Sequence, residues 1–279
     1  MGTRVLSYYG ADMDESKNYA RINSLVKALK TLETLSLQPK WGLAELTARL
    51  GMPKTTVCRL IYTLEEMGYV SQEKVRGEYS LTSKLFQLGS QVINHSGLVD
   101  LARPDCLKLR STVGETVNLC IPHETDMLVV DIQVGNHPLR QDTKIGVGFS
   151  MIRSASGRAY LAFLKNPEAE ELLERIREEE KLPKKEWQSL LGELDETKEG
   201  GIGYDNEEIF SGVRCVAAPI FDHQTNVVAT ISVSAPVVRL NGKILAKMAD
   251  AVVETASEIS TRLGVPRYPH PHGKEAKAS

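Results

Sequence analysis

The sequence predicts an α+β protein of two domains joined by a linker helix. Two short helical patterns meet at a glycine turn within the first 70 residues, and two short strands with a basic turn between them follow. The rest of the chain alternates longer strand pairs with helices, as α+β folds do. A length of 279 residues accommodates two domains. We expect an N-terminal domain at 20–82, a linker helix at 83–97 and a larger domain at 98–267.

The first two elements are predicted to be short helices. Apolar side chains recur at three- and four-residue steps across residues 22–35, which is typical of an amphipathic helix. Pro39 then interrupts the helical pattern, because proline disfavours helix in the residue before it. A second helix ends at Gly51, a common helix-ending residue, and its inner stripe consists of Leu43, Leu46, Thr47 and Leu50.

The third helix completes a helix-turn-helix. It starts at Pro53, which suits a first helical turn, and runs to about Met67. The residues expected to face the core are Val57, Leu60, Ile61, Leu64 and Met67. The remaining side chains combine phosphate binders with base-edge donors, as a helix in the major groove of DNA requires. The predicted DNA-binding residues of this helix are Lys54, Thr55, Thr56, Arg59 and Tyr62.

A β-hairpin is predicted directly after the third helix. Residues 69–71 and 78–81 have strand composition, and a basic, glycine-containing turn separates them. This arrangement indicates a wing, with Lys74 and Arg76 at its tip contacting the DNA backbone or minor groove.

Charge and composition fit this arrangement. The whole chain has a net charge of −2, yet residues 16–82 carry ten Lys and Arg against six Asp and Glu. A mildly basic module ahead of an acidic body favours a local contact with nucleic acid. No apolar run approaches the roughly 20 residues of a membrane span, and the N-terminus has no apolar signal sequence, so we expect a cytoplasmic protein with no membrane partner.

The second half of the chain is predicted to form a sheet with helices at its edges. Helices are expected at 84–95, 98–113, 156–164, 167–180, 184–194 and 243–263. Strands are expected at 116–121, 127–134, 213–220 and 227–234.

Polar residues within these apolar strands indicate a ligand site. Ser232 and Ser234 are two residues apart and therefore point to one face of the sheet. Asp205 and Cys215 also lie inside or beside apolar strands, and buried polar groups need partners. Ala155 and Ser156 precede or begin a predicted helix, where free backbone amides favour an anion. Ordinary core hydroxyls and a buried thiol are the alternative interpretation.

Motifs in both halves resemble the IclR family of bacterial regulators. The N-terminal motifs are GLAEL at 42–46, LGMPKTTV at 50–57 and LEEMGYV at 64–70. The C-terminal motifs are GETVNL at 114–119, GYD at 203–205, GVRCVAAPIFD at 212–222 and ISVSAP at 231–236. The resemblance covers about residues 20–265.

The resemblance implies a C-terminal GAF-like domain that binds an effector. The family positions that line the effector site match Ala155, Ser156, Asp205, Cys215, Ser232 and Ser234, and Phe149 and Val213 match its apolar wall. The histidine that many relatives carry before this helix is absent, and Arg153 stands nearby instead. Turned inward, Arg153 could pair with a ligand carboxylate; turned outward, which we favour, it is a surface charge.

The expected function is therefore that of a ligand-responsive DNA-binding transcriptional regulator. The expected partners are a palindromic double-stranded operator, a second copy or three further copies of the chain as the resemblance implies, and a small organic acid, an aromatic catabolite among the candidates. Two alternatives remain: a ligand-binding module that acts only through protein partners, and an enzyme. The chain has no G-x-S-x-G, P-loop or H-E-x-x-H motif, and its four cysteines show no metal-ligand spacing, so we expect no catalytic residue, metal or cofactor.

Overall fold

The computed structural model describes residues 22–73, 77–94, 97–165, 167–265 and 267–269. The described residues fall into two compact units, and the second begins at Gly97. Within the described residues, no helix combines the length and apolar character that crossing a membrane requires.

The N-terminal unit is a helix-turn-helix followed by a two-stranded hairpin and a further helix. Its elements are α1 (Asn23–Ser36), α2 (Leu43–Leu50), α3 (Lys54–Glu66), β1 (Val70–Gln72), β2 (Tyr79–Leu81) and α4 (Lys84–Asn94). Between α2 and α3, Gly51 adopts φ 61°, a left-handed conformation that favours glycine and permits the tight turn. The core of the unit consists of Leu35, Trp41, Leu46, Val57, Ile61, Leu64 and Val70.

The buried face of α3 is narrower than its periodicity predicts. Val57, Ile61 and Leu64 are buried, and Leu60 is half-buried. The prediction that Met67 faces the core is wrong, because α3 ends at Glu66 and Met67, its C-cap residue, is 54% exposed.

Trp41 contributes an unpredicted third strand position to the hairpin. Its backbone N–H donates to the Tyr79 carbonyl, and the Tyr79 N–H donates back to the Trp41 carbonyl, both at 2.9 Å. The Trp41 side chain is 5% exposed. The segment between α1 and α2 therefore ties the helices to the wing instead of only separating them.

The C-terminal unit is a six-stranded antiparallel sheet with helices on both faces, which confirms the α+β prediction. Its helices are α5 (Leu98–Val113), α6 (Ala155–Leu161), α7 (Glu168–Glu180), α8 (Lys184–Gly200) and α9 (Gly242–Arg262). Its strands are β3 (Thr116–His123), β4 (Asp126–Gln133), β5 (Gly148–Ser150), β6 (Gly203–Asn206), β7 (Val213–Phe221) and β8 (Val227–Pro236). The strand order is β5-β4-β3-β8-β7-β6.

Different helices cover the two faces of this sheet. Asp131 on β4 lies opposite Leu119 and pairs with Arg103 of α5 at 3.3 Å, so α5 covers the face to which Leu119 and Asp131 point. Neighbouring Asn118 points to the other face, because side chains alternate along a strand. On that other face α6 packs closely on β6: a Cβ added to Gly203 would lie 2.3 Å from the carbonyl oxygen of Ala155.

Candidate functional sites

The first candidate site is the outward face of α3. Lys54, Thr55, Arg59 and Tyr62 are exposed there, and Thr56 is half-buried. The apolar side of the same helix is fixed against the core of the unit, so the polar side is presented to solvent. All five predicted residues therefore lie on one helix whose N-terminal end carries the partial positive charge of the helix dipole.

The hairpin beside α3 forms as predicted, with β1 and β2 antiparallel. Val70 lies opposite Leu81, and the hydroxyls of Ser71 and Ser80 are 3.2 Å apart across the pair. The predicted tip residues Lys74 and Arg76 lie outside the described residues.

The second candidate site is a cavity on the face of the large sheet that α6 partly covers. It measures about 390 Å³, including the part open to solvent. Seven of the eight predicted effector residues line it: Phe149, Ala155, Ser156, Asp205, Cys215, Ser232 and Ser234. Val213 is not among the lining residues, because it lies two positions before Cys215, opposite Pro236 near the ends of both strands.

Strand register brings the polar residues of the cavity together. Ser234 lies opposite Cys215 on one side, and Cys215 lies opposite Asp205 on the next strand. The Cys215 thiol donates to the Ser234 hydroxyl at 3.1 Å. In the adjacent row, Ser232 lies opposite Asn118. Polar residues therefore lie on the cavity face of four neighbouring strands, β3, β8, β7 and β6, and not only on β8, where the sequence predicted their alternation.

Sequence reasoning missed half of the cavity lining. The additional residues are Asn118, Cys120, Gln141, Thr143, Ser154, Ile209 and Phe210. Asn118 and Cys120 are two apart in β3, so the alternation that marked Ser232 and Ser234 could have identified them. The other residues lie in connecting segments, where no periodicity exists.

The start of α6 forms one wall of the cavity. Ser154 is the N-cap of α6, and its hydroxyl accepts from the Gly157 N–H at 3.0 Å. The hydroxyl therefore caps the helix. The Ser156 hydroxyl lies 3.8 Å from the thiol of Cys120 on β3 and donates to it. Helix and sheet therefore meet directly at the cavity.

A loop after β6 closes another side of the cavity. The Asp205 carboxylate accepts from the backbone N–H groups of Glu208 at 2.8 Å and Ile209 at 3.4 Å. This turn carries Phe210 to Phe149, where the two rings pack edge to face with centroids 5.9 Å apart. Arg158 of α6 fixes the same loop through two hydrogen bonds to the Glu208 carboxylate, each 2.7 Å.

The ionisable groups of the cavity are suited to binding rather than to nucleophilic chemistry. Burial raises the pKa of the Cys120 and Cys215 thiols to about 12, so both are neutral thiols at physiological pH. Burial also raises the pKa of the Asp205 carboxyl above its ordinary value, although the backbone N–H groups of Glu208 and Ile209 oppose that shift. In the described part of the chain, no group of three or more His, Cys, Asp or Glu residues could hold a metal ion.

Arg153 points away from the cavity. Its guanidinium lies 3.5 Å from the Glu180 carboxylate and 3.3 Å from that of Glu186, and its side chain is 35% exposed. It is not among the residues that line the cavity. The outward orientation favoured from the sequence is therefore the one observed, and Arg153 contacts carboxylates of the protein itself.

Known proteins resemble this chain over most of its length. Residues 24–74 match the family described as the IclR helix-turn-helix domain, and residues 90–261 match the family described as bacterial transcriptional regulator IclR, C-terminal. The HTH-type transcriptional regulator KdgR of Escherichia coli is 31% identical over 93% of this chain and 99% of its own length.

Solved structures give the same result for the fold. The Thermotoga maritima IclR structure is 28% identical and superposes with a TM-score of 0.72 over 88% of this chain and 100% of its own. An IclR homolog from Microbacterium hydrocarbonoxydans, solved in complex with 4-hydroxybenzoate, is 19% identical and gives a TM-score of 0.72 over 86% of this chain and 98% of its own. At that identity, the second comparison supports the fold alone.

Proposed function

The chain belongs to the IclR family of bacterial transcriptional regulators, DNA-binding proteins rather than enzymes, and we propose that it binds a palindromic operator through α3 and senses a small organic acid in its cavity. The protein has a state that binds DNA and a state that does not, and an acid that binds one of them more tightly shifts the balance toward it. Because the partner is bacterial DNA, we place the protein in the cytoplasm.

We assign these roles to three segments. Residues 20–82 bind DNA, residues 83–97 form the linker helix and residues 98–267 bind the effector. The two family matches fall within the first segment and across the other two. A palindromic operator has two-fold symmetry, so the active form is a homodimer or a dimer of dimers that places recognition helices in successive major grooves.

The exposed polar face of α3 is the observation that carries the DNA-binding half of the proposal. Lys54 and Arg59 supply positive charge for phosphates or guanine edges, Thr55 and Thr56 supply short hydroxyl donors, and Tyr62, 67% exposed, is available to the backbone. The apolar side of α3 is buried in the core, so the exposed ring of Tyr62 lies outside that core and is free to contact a partner. Lys74 and Arg76 of the wing are proposed to contact the same DNA.

The cavity supports the sensing half. It combines apolar walls at Phe149 and Phe210 with polar residues from four strands, the usual composition of a small-molecule site. The homolog solved with 4-hydroxybenzoate shows that the same fold accommodates an aromatic acid. Aromatic acids are therefore among the effector candidates for this chain.

An operator-binding measurement tests the DNA-binding half. Genomic fragments selected by the purified protein supply the operator, and fluorescence anisotropy at 150 mM salt compares Arg59→Ala with the wild type. If Arg59 reads a guanine edge, the variant should lose about 1–3 kcal/mol on the operator and discriminate less against a scrambled duplex. If it contacts phosphate, both duplexes should weaken alike.

Lys247→Ala is the matched control for this measurement. It removes one exposed positive charge from α9, in the other unit. Equal affinity of the Arg59→Ala and Lys247→Ala proteins would refute the assignment of α3 as the recognition helix. The operator would then contact another surface of the chain, whereas failure of the purified protein to select any fragment would favour the alternative in which it acts only through protein partners.

A further inference from the structure

The floor of the cavity contains a buried hydrogen-bond acceptor without a donor. Asn118 on β3 is 4% exposed, and its Nδ2 donates to the Ser234 hydroxyl at 3.4 Å. Its Oδ1 is buried and has no hydrogen-bond partner among the described residues. A buried acceptor left in this state destabilises the protein, so an unpaired acceptor that lines a cavity indicates a donor supplied by a ligand.

The charged residues of the cavity also favour a ligand that donates hydrogen bonds. Asp205 is the one carboxylic acid among the lining residues in the described part of the chain, and no lysine, arginine or histidine is among them. The nearby Arg158 is already held by Glu208 and by Glu193, whose carboxylate is 2.9 Å away, so its charge is compensated. A ligand carboxylate placed beside Asp205 would be repelled, whereas a hydroxyl there would donate to it.

The opposite wall is apolar. Phe149 and Phe210 pack edge to face at 5.9 Å, and Ile209 lines the cavity next to them. A ligand that fits both sides has an apolar face against the rings and hydrogen-bond donors directed at the sheet.

We infer that the ligand of this cavity is a hydroxylated small molecule that presents O–H donors to Asn118 Oδ1 and to Asp205, and not an acid whose single polar group is its carboxylate. The inference rests on the proposed sensing function and specifies its ligand class. Where the ligand also has a carboxylate, that group lies at the end of the cavity away from Asp205. Either a hydroxylated ring or a sugar-like chain could pack an apolar face against the aromatic wall.

Matched pairs of probes test the inference with the full-length protein. The pairs are 4-hydroxybenzoate with benzoate and D-gluconate with hexanoate, and calorimetry measures the affinity of each. We expect the hydroxylated member of at least one pair to bind at least tenfold more tightly than its partner, and Asn118→Leu to remove that preference. Asn206→Leu, an exposed position at the end of β6, is the control that should leave it unchanged.

The unliganded protein provides a second readout. Because Asn118→Leu replaces an amide whose oxygen has no donor with an apolar group of similar size, it should raise the melting temperature by roughly 2–4 °C while the preference for the hydroxylated probe is lost. A lower melting temperature would show that the Asn118 side chain is satisfied in the unliganded protein, and would overturn the inference.

The probe results separate the inference from the proposed function. If at least one probe binds but neither hydroxylated probe binds more tightly than its partner, the ligand class is wrong and the sensing function stands. If no member of either pair binds at millimolar concentration, both the ligand class and the sensing function are contradicted, while operator binding is decided separately by Arg59→Ala.

Discussion

Asp205 joins the cavity to the loop that closes it. The residue is 2% exposed, and one carboxylate oxygen accepts from two backbone N–H groups of the loop. These hydrogen bonds stabilise the ionised form, yet burial has the larger effect and raises the pKa. Burying an ionisable carboxyl costs free energy, and an asparagine would supply the loop with the same acceptor oxygen. Ligand contact therefore explains an aspartate at this position better than loop geometry does.

Asp205→Asn should therefore change how stability depends on pH. A carboxyl group whose pKa is raised on folding contributes stability that is present below its ordinary pKa of 3.8 and is lost as pH rises through the raised value. Asparagine keeps an acceptor for the loop and does not ionise. We expect the variant to unfold at higher urea concentration than the wild type at pH 7, and the difference to shrink as pH falls toward 4.

Asp195→Asn, an exposed position on α8, is the control for this series. It should follow the wild type across the pH range. A difference between Asp205→Asn and the wild type that stays constant from pH 4 to pH 8 would contradict the proposed cause, because only a titrating group produces a slope.

At the level of elements, predictability follows the length and regularity of each segment. The third helix is predicted within one residue of the observed α3, and the strands predicted at 213–220 and 227–234 differ from β7 and β8 by at most two residues. In contrast, β5 and β6 contain three and four residues, too few to show a two-residue period, and neither is predicted. The helix predicted to end at 194 continues to Gly200, because Leu190, Leu194 and Thr197 keep a buried face.

The residues that line the cavity were likewise predictable from periodicity only where they lie on regular strands. Residues on strands could be identified from alternation, and seven of the eight predicted positions line the cavity. Gln141, Thr143 and Phe210 lie in segments whose positions depend on contacts with distant residues, such as the edge-to-face packing of Phe210 on Phe149. Such long-range contacts leave no local pattern in the sequence.

The close packing of α6 on β6 shapes the cavity and can be tested with a pair of glycines. A Cβ at Gly203 would lie 2.3 Å from the Ala155 carbonyl oxygen, so Gly203→Ala must push α6 away from the sheet. We expect it to destabilise the C-terminal unit by roughly 2 kcal/mol or more and to weaken binding in the cavity, because backbone atoms cannot yield as a flexible side chain can.

Gly192→Ala is the matched control in α8. Apart from neighbouring backbone of its own helix, no atom lies within 4 Å of the added Cβ, and the position is inside a helix, so the substitution should stabilise the unit by about 0.5–1 kcal/mol. Urea unfolding followed by the fluorescence of Trp187, which is buried in this unit, measures both variants. Equal stability of the two variants would show that α6 is not packed against β6 in solution.

At the level of the whole molecule, each unit has its own core and its own reporter. The chain has two tryptophans; Trp41 is buried in the N-terminal core and Trp187 in the C-terminal core. Trp187→Phe therefore leaves fluorescence from the DNA-binding unit, and Trp41→Phe leaves fluorescence from the sensing unit. The stability of the two units can be followed separately in otherwise identical chains.

Ligand linkage should then assign each proposed function to its unit. A molecule that binds only the folded state stabilises that state by about 2.7 kcal/mol at 100 times its Kd. We expect the selected operator to raise the urea midpoint reported by Trp41 more than that reported by Trp187, and the hydroxylated probe that binds in calorimetry to do the reverse. A smaller shift of the other unit's midpoint would measure the coupling between the two sites, because each ligand must change the affinity of the other by the same factor. If either ligand shifts both midpoints equally, the two units unfold as one cooperative block, and the division of functions between them would have to be tested by operator and probe affinities instead.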